Sequence, residues 1–211
     1  MVTDYLESLD LNLRVYTSAD IRYESPITRW RNNQVKESWI FDWNGKISIT
    51  RIVQLAAGKA NLFDLDDLAE ALVKFGLHAL NALLQVRPLP EALEYYVGVS
   101  NLTGKMLQDY AMLEKTMGVG FICRTMGRPE RAFNITLNGE PALAVDSLRD
   151  NLLTTLNGIV GAFSAVGPAS HETSSPRVIS SERFAALYDK SLSRLNLPAV
   201  SAVRKSAGQQ T

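Results

Sequence analysis

Apolar residues recurring at three- and four-residue steps constrain this chain more tightly than any other feature. Leu65, Leu68, Leu72 and Phe75 form one stripe, and Leu77, Leu80 and Leu84 form a second toward Val86. A surface helix needs a single apolar stripe, so a helix apolar on two sides belongs at the centre of its bundle. Asp64, Asp66 and Asp67 stand at its start as helix-cap carboxylates near the positive dipole end, rather than as metal ligands. The cleanest helical repeat is Val145, Leu148, Leu152, Leu156, Ile159 and Phe163, with Asp146 and Asp150 in its early turns. Ser180-Ser-Glu-Arg opens a last helix in which Phe184, Tyr188, Leu192 and Leu195 share a face, and Pro198 ends it.

Pro88 and Pro90 interrupt the first long segment. Beyond them, residues 91 to 97 and then Leu102, Met106, Tyr110, Leu113 and Met117 resume a helical spacing until Gly118 and Gly120 stop it. These two segments are expected to form an antiparallel helix pair. Strand signals are fewer. Asn44-Gly45 favours a type I′ turn, and the β-branched and aromatic residues on either side predict a short hairpin. Residues 50 to 60 read as a short helix, and residues 131 to 140 as a strand approaching a second Asn-Gly turn, where Pro141 weakens any returning strand. Residues 161 to 176 read as a loop, and residues 201 to 211 as a mobile tail. The expectation is mainly α, with a small β element and extended termini: one domain over residues 1 to 200 and a flexible tail over 201 to 211. Trp30, Trp39 and Trp43 all fall in the aromatic-rich opening, whose role as core or interface the pattern leaves open.

Composition excludes several functions. The 22 basic and 22 acidic side chains cancel, so any nucleic-acid binding has to be local and multiplied by assembly. Cys123 is the single cysteine, which rules out an internal disulfide, and with His78 and His171 alone to help it builds no zinc site. Its apolar setting reads as a buried structural thiol. The opening residues lack a basic segment and an apolar core, and no apolar run reaches membrane-spanning length, so a soluble protein used without export is expected. Without export, the glycosylation patterns at Asn101 and Asn134 are coincidence. His78, on an apolar helix, reads as a core residue, and neither histidine sits in a triad context. Gly98 to Met106 departs from a phosphate-binding loop, with five residues between the glycines and Met after the lysine. No catalytic residue, metal ligand or cofactor is predicted.

Arg124-Thr-Met-Gly-Arg-Pro-Glu-Arg131 remains. Three arginines and a Gly/Pro break lie between two apolar stretches. A guanidinium fork matches phosphate and stays charged, so the cluster is either solvated surface or an anion-binding edge. Arg29-Trp-Arg31 offers a similar combination, with a core tryptophan flanked by solvated charge as its plainer reading.

The helix pair of residues 64 to 117, the connecting arginines, the helix led by Val145-Asp146-Ser-Leu-Arg149 and the closing Ser180-Ser-Glu-Arg-Phe184 together resemble the coat proteins of rod-shaped plant RNA viruses. This is the tobacco mosaic virus-like group that includes the hordei-, peclu- and benyvirus coats, and the resemblance covers roughly residues 60 to 198. It implies an antiparallel four-helix bundle with a small sheet. It also implies a structural coat protein, not an enzyme, that forms a helical homopolymer around single-stranded genomic RNA, in the virion and the host cytoplasm, without a membrane or cofactor. By the same resemblance Arg124, Arg128 and Arg131, with Arg87 as a further candidate, contact RNA phosphates. Asp146 and Arg149 form a structural salt bridge, and Glu91, Glu94 and Asp109 are carboxylates that face each other between subunits. The compact Arg-Arg-x-Asp run of the family is missing here. The alternatives are an RNA-binding nucleoprotein that forms no rod and a small helical enzyme or ligand-binding domain.

Overall fold

A computed structural model describes residues 13–16, 20–24, 28–30, 33–42, 46–54, 62–85, 88–108, 120–124, 126–137, 141–166 and 179–208. Among them the chain forms four helices and eleven strands. An N-terminal sheet comprises β1 (Leu13–Tyr16), β2 (Asp20–Glu24), β3 (Thr28–Trp30), β4 (Asn33–Asp42) and β5 (Ile47–Gln54). β4 is its spine: β3 and β2 share one edge, β5 takes the other, and every pairing is antiparallel. β6 (Leu62–Asp64) leads into α1 (Leu65–Leu83). Then come β7 (Ala92–Gly98), β8 (Met106–Gln108), β9 (Gly120–Cys123) and β10 (Glu130–Thr136). The remaining elements are α2 (Pro141–Val160), β11 (Phe163–Val166), α3 (Ser181–Arg194) and α4 (Pro198–Gly208). β7 and β10 pair with each other, while β11, β9, β8 and β6 form a third sheet in which β6 and β8 run parallel.

The expected mainly-α, antiparallel four-helix bundle is therefore wrong: helices and three sheets share the fold. The largest error lies in residues 91 to 97, expected as the start of a second long helix. They form β7, whose Leu93, Tyr95 and Val97 alternate toward the interior while Ala92, Glu94 and Tyr96 face out. The exposed Tyr96 beside Tyr95 disguised a period of two as a helical cluster. Met106 belongs to β8, and residues 109 to 119, where that helix was expected to end, lie outside the described residues. Residues 50 to 54, expected as helix, complete β5, because pairing with the ten-residue β4 supplies a ladder that local spacing does not reveal. The strands expected around Asn44-Gly45 are β4 and β5. Residues 163 to 166, expected as loop, are β11.

Two of the helices, α1 and α3, start where their caps predict. The Asp67 backbone N–H donates to Asp64 Oδ1 at 3.0 Å, and that of Arg183 to Ser180 Oγ at 3.2 Å. Pro198 initiates a helix instead of only ending one. At the first helical position its missing N–H has no intrahelical partner to lose and its fixed φ suits the turn. Residues 201 to 208, expected as a mobile tail, continue α4, which is anchored by buried Val200.

One core unites the helices with the β7–β10 strand pair. Leu65, Val73, Leu77 and Leu80 of α1 meet Leu148, Leu152 and Leu156 of α2, Phe184 and Tyr188 of α3, and Val200 of α4. Phe133 and Ile135 close it from β10, and Tyr95 stacks on Phe133 at 5.2 Å between ring centroids. Burying each such Leu or Phe contributes about 1.5–3 kcal/mol, so this face dictates which way every element turns. Tyr188 satisfies its hydroxyl by donating to the Val145 carbonyl at 2.8 Å. A smaller cluster of Leu102, Cys123, Ile159 and Phe163, with Phe63 stacked on Phe163, lies beneath the turn that follows β7.

Candidate nucleic-acid interface

Two connections meet at the end of the β7–β10 strand pair. β7 finishes opposite Glu130, and the next amide, Val99 N–H, donates to the Pro129 carbonyl at 3.0 Å, which holds residues 99–105 beside residues 126–129. Buried Leu102 pins the first connection to the smaller cluster. Asn101 (φ 61°) and Gly104 (φ 73°) then turn through left-handed backbone, where Asn and Gly carry little or no steric cost. Gly104 N–H donates to the Cys123 carbonyl at 2.8 Å and Cys123 N–H to the Lys105 carbonyl at 2.9 Å. Arg124 thus emerges next to this turn.

Between the two connections lies an open groove of about 500 Å³, lined by Ser100, Asn101, Thr103, Lys105, Met126, Gly127 and Arg128. Its lining holds two cations, three neutral hydrogen-bonding side chains and no carboxylate. In a chain of zero formal charge, that brings two cationic side chains to one opening. Met126 stands out at the mouth with 93% of its surface exposed.

The three loop arginines occupy different parts of this edge. Arg124 is exposed at the end of β9. Arg128 lies against bare backbone: a Cβ on Gly98 would come within 2.6 Å of its Nε. Its guanidinium carbon sits 5.8 Å from the Tyr96 ring centroid, and its Nε is 3.8 Å from Glu130 Oε2. Tyr96 donates its hydroxyl to the same carboxylate, and that hydrogen bond, with minor help from desolvation and the Glu130 charge, raises the phenol's pKa. Arg131 is exposed and pairs with Val97, so strand alternation turns it to the opposite face from Glu130. An ion pair as exposed as Arg128–Glu130 is worth about 1 kcal/mol or less, so an incoming phosphate can take over the guanidinium.

Other predicted residues are scattered. Glu91 and Glu94 are exposed, Glu94 on the outer face of the β7–β10 pair opposite Asn134. Arg149 Nη1 lies 3.5 Å from Asp146 Oδ1 and its Nε 3.0 Å from Asp150 Oδ1, a pairing within the exposed side of α2. Arg87, Asp109, Arg31 and His171 lie outside the described residues, as do the side chains of Arg29 and Trp30. Lys105, Ser100 and Asn101 were missed as site residues. Their segment fails the spacing of a phosphate-binding loop, yet its Asn and Gly already signalled the left-handed turn that makes the groove wall.

A second polar cluster is internal. Arg51 on β5 donates to Glu37 of β4 at 2.6 Å and also to Asp67 of α1, while Lys74 Nζ reaches Glu37 at 2.9 Å. Burial pushes the Glu37 carboxyl up, but Lys74 and then Arg51 outweigh it and hold it below its ordinary value. At Asp67 burial wins over Arg51, and the pKa rises. Burial, with Lys74, lowers His78 to about 4 against the pull of Glu37. Trp39 meets Phe75 and His78 edge-on, each at 5.6 Å, so at least this tryptophan of the aromatic-rich opening is core. The cluster clamps the N-terminal sheet to α1 and leaves His78 neutral.

Among the described residues no group of three or more His, Cys, Asp or Glu is placed to hold a metal ion, and no helix is long and apolar enough to cross a membrane. No protein-family model, curated protein or solved structure matches the chain.

Proposed function

We propose that this chain is a structural protein that binds single-stranded RNA through the edge carrying Lys105, Arg124 and Arg128, with Arg131 on the opposite strand face as a further phosphate contact, many copies coating one strand. The observation that carries this reading is the open groove with two cations and no carboxylate in its lining, with exposed Arg124 following β9 beside it. Such an edge contacts phosphates without reading bases. A few phosphate contacts per subunit bind weakly, and repetition along one RNA multiplies them. The bundle that suggested a rod-shaped particle is not the fold of this chain, so the proposal rests on the basic edge alone.

Fluorescence anisotropy with a labelled uridine oligomer tests it. Binding should weaken steeply between roughly 50 and 200 mM salt, and the triple variant Arg124→Ala, Arg128→Ala, Arg131→Ala should lose at least about tenfold in affinity while staying folded. Electron microscopy of the protein mixed with long RNA should show regular particles that the triple variant does not form. Affinity unchanged in the triple variant would refute the assignment.

A further inference from the structure

Resting on the RNA reading, we infer that the groove between residues 99–105 and 126–129 is a discrete site for one ribose phosphate, with Lys105 and Arg128 on the phosphate and Ser100 and Asn101 beside the sugar. The groove's volume of about 500 Å³ falls within the roughly 300–1,000 Å³ of small-molecule sites, enough for a nucleotide and too small for a folded partner. Its cations come from two separate connections whose backbones the Val99–Pro129 and Gly104–Cys123 hydrogen bonds hold side by side, so the frame that carries them is formed before a ligand arrives. A fork-shaped guanidinium and a compact ammonium together neutralise a phosphate, and the hydroxyl and amide of Ser100 and Asn101 match sugar hydroxyls. Met126 gives a base a polarisable apolar surface at the mouth.

Gly98 is part of this design. The space a side chain would fill there is taken by the Arg128 guanidinium, whose Nε, Nη2 and Cζ all lie within 3.1 Å of where a Cβ would be. Those atoms are the far end of a flexible side chain, so Gly98→Ala should displace Arg128 without unfolding the β7–β10 pair. The same phosphate chemistry occurs in an RNA phosphodiester and in a free phosphomonoester, and the two sources separate experimentally.

Backbone amide NMR of the full chain, titrated with a uridine oligomer, uridine monophosphate and inorganic phosphate, provides the test. The Gly104, Lys105 and Gly127 amides should shift with the oligomer and the monophosphate. Lys105→Gln and Arg128→Gln should each weaken both by about fivefold or more, and Gly98→Ala should reproduce the Arg128→Gln loss with an unchanged melting temperature. If the oligomer binds, loses affinity in the triple arginine variant, yet leaves those amides and the Lys105→Gln affinity unchanged, the groove site is overturned and the RNA reading stands. If the monophosphate or inorganic phosphate shifts them and the oligomer does not bind, the groove is a free-phosphate site and the RNA reading falls. Silence with all three ligands overturns both.

Discussion

The side-chain oxygen of Asn81, buried in α1, accepts the Ala199 backbone N–H at 2.9 Å and so caps a helix that lies 118 residues further along the chain. Val200 N–H reaches the same oxygen at 3.2 Å. The first N–H groups of a helix have no partner within it, and here a distant core residue provides one. One amide side chain thus caps α4, while buried Val200 supplies its apolar anchor.

Replacing Asn81 by Ala should leave two helix-start amides without their acceptor and open a small cavity, costing about 2–3 kcal/mol. Urea denaturation gives the loss, and hydrogen exchange should accelerate first at Ala199 and Val200. A protein that keeps its stability and its exchange pattern would contradict the cap.

Arg51→Met should be among the most damaging substitutions in the N-terminal sheet. It strands Asp67 and leaves Glu37 with Lys74 alone, each carboxylate with less than a tenth of its side chain exposed, and removing one partner from such a buried set costs about 3–5 kcal/mol. Lys74→Met should cost about 1 kcal/mol or less, because Lys74 is 40% exposed and Glu37 keeps Arg51. Equal losses from the two variants would show that the network is not shared in this way.

His78 makes stability depend on pH with a definite sign. Its pKa is 6.5 unfolded and about 4 folded, so between those values the unfolded chain binds the extra proton. Its contribution is intact above pH 6.5 and is lost as the pH falls toward 4, by up to about 3 kcal/mol. Glu37, held below its ordinary 4.5, adds a loss of the same sign further into acid, while Asp67, raised above 3.8, opposes it. Melting temperatures from pH 7 to 4 should fall for the wild type and fall less for His78→Phe.

Cys123 is 1% exposed beneath the groove wall. A thiol reagent should label it at least about a thousandfold more slowly than a free cysteine, through opening of the fold, and denaturant should abolish the protection. Fast labelling of the native chain would place the thiol at the surface.

Local pattern carried much of the helical content. The stripes through Leu65 to Leu84 and Val145 to Ile159, the Asp64 and Ser180 caps and the arginine cluster were all readable, since each rests on residues within a few positions of one another. A strand of three to seven residues holds too few positions to establish a period, and its stability lies in a partner elsewhere. Whether residues 91 to 97 coil or extend was settled by β10, whose Thr136 pairs with Ala92 and whose Glu130 pairs with Gly98. Whether Pro198 ends the chain's structure or begins a helix was settled by Asn81.

The candidate site divides along the same line. Arginine type and loop composition are properties of the chain, and the expectation of a phosphate contact was drawn from them. That Lys105 joins Arg128 across a groove, that Gly98 leaves room for the guanidinium and that Arg131 faces the other way are consequences of pairing and turn geometry. Charge is written residue by residue, whereas direction and proximity come from hydrogen bonds and apolar contacts between segments far apart in sequence, which form only once the core closes.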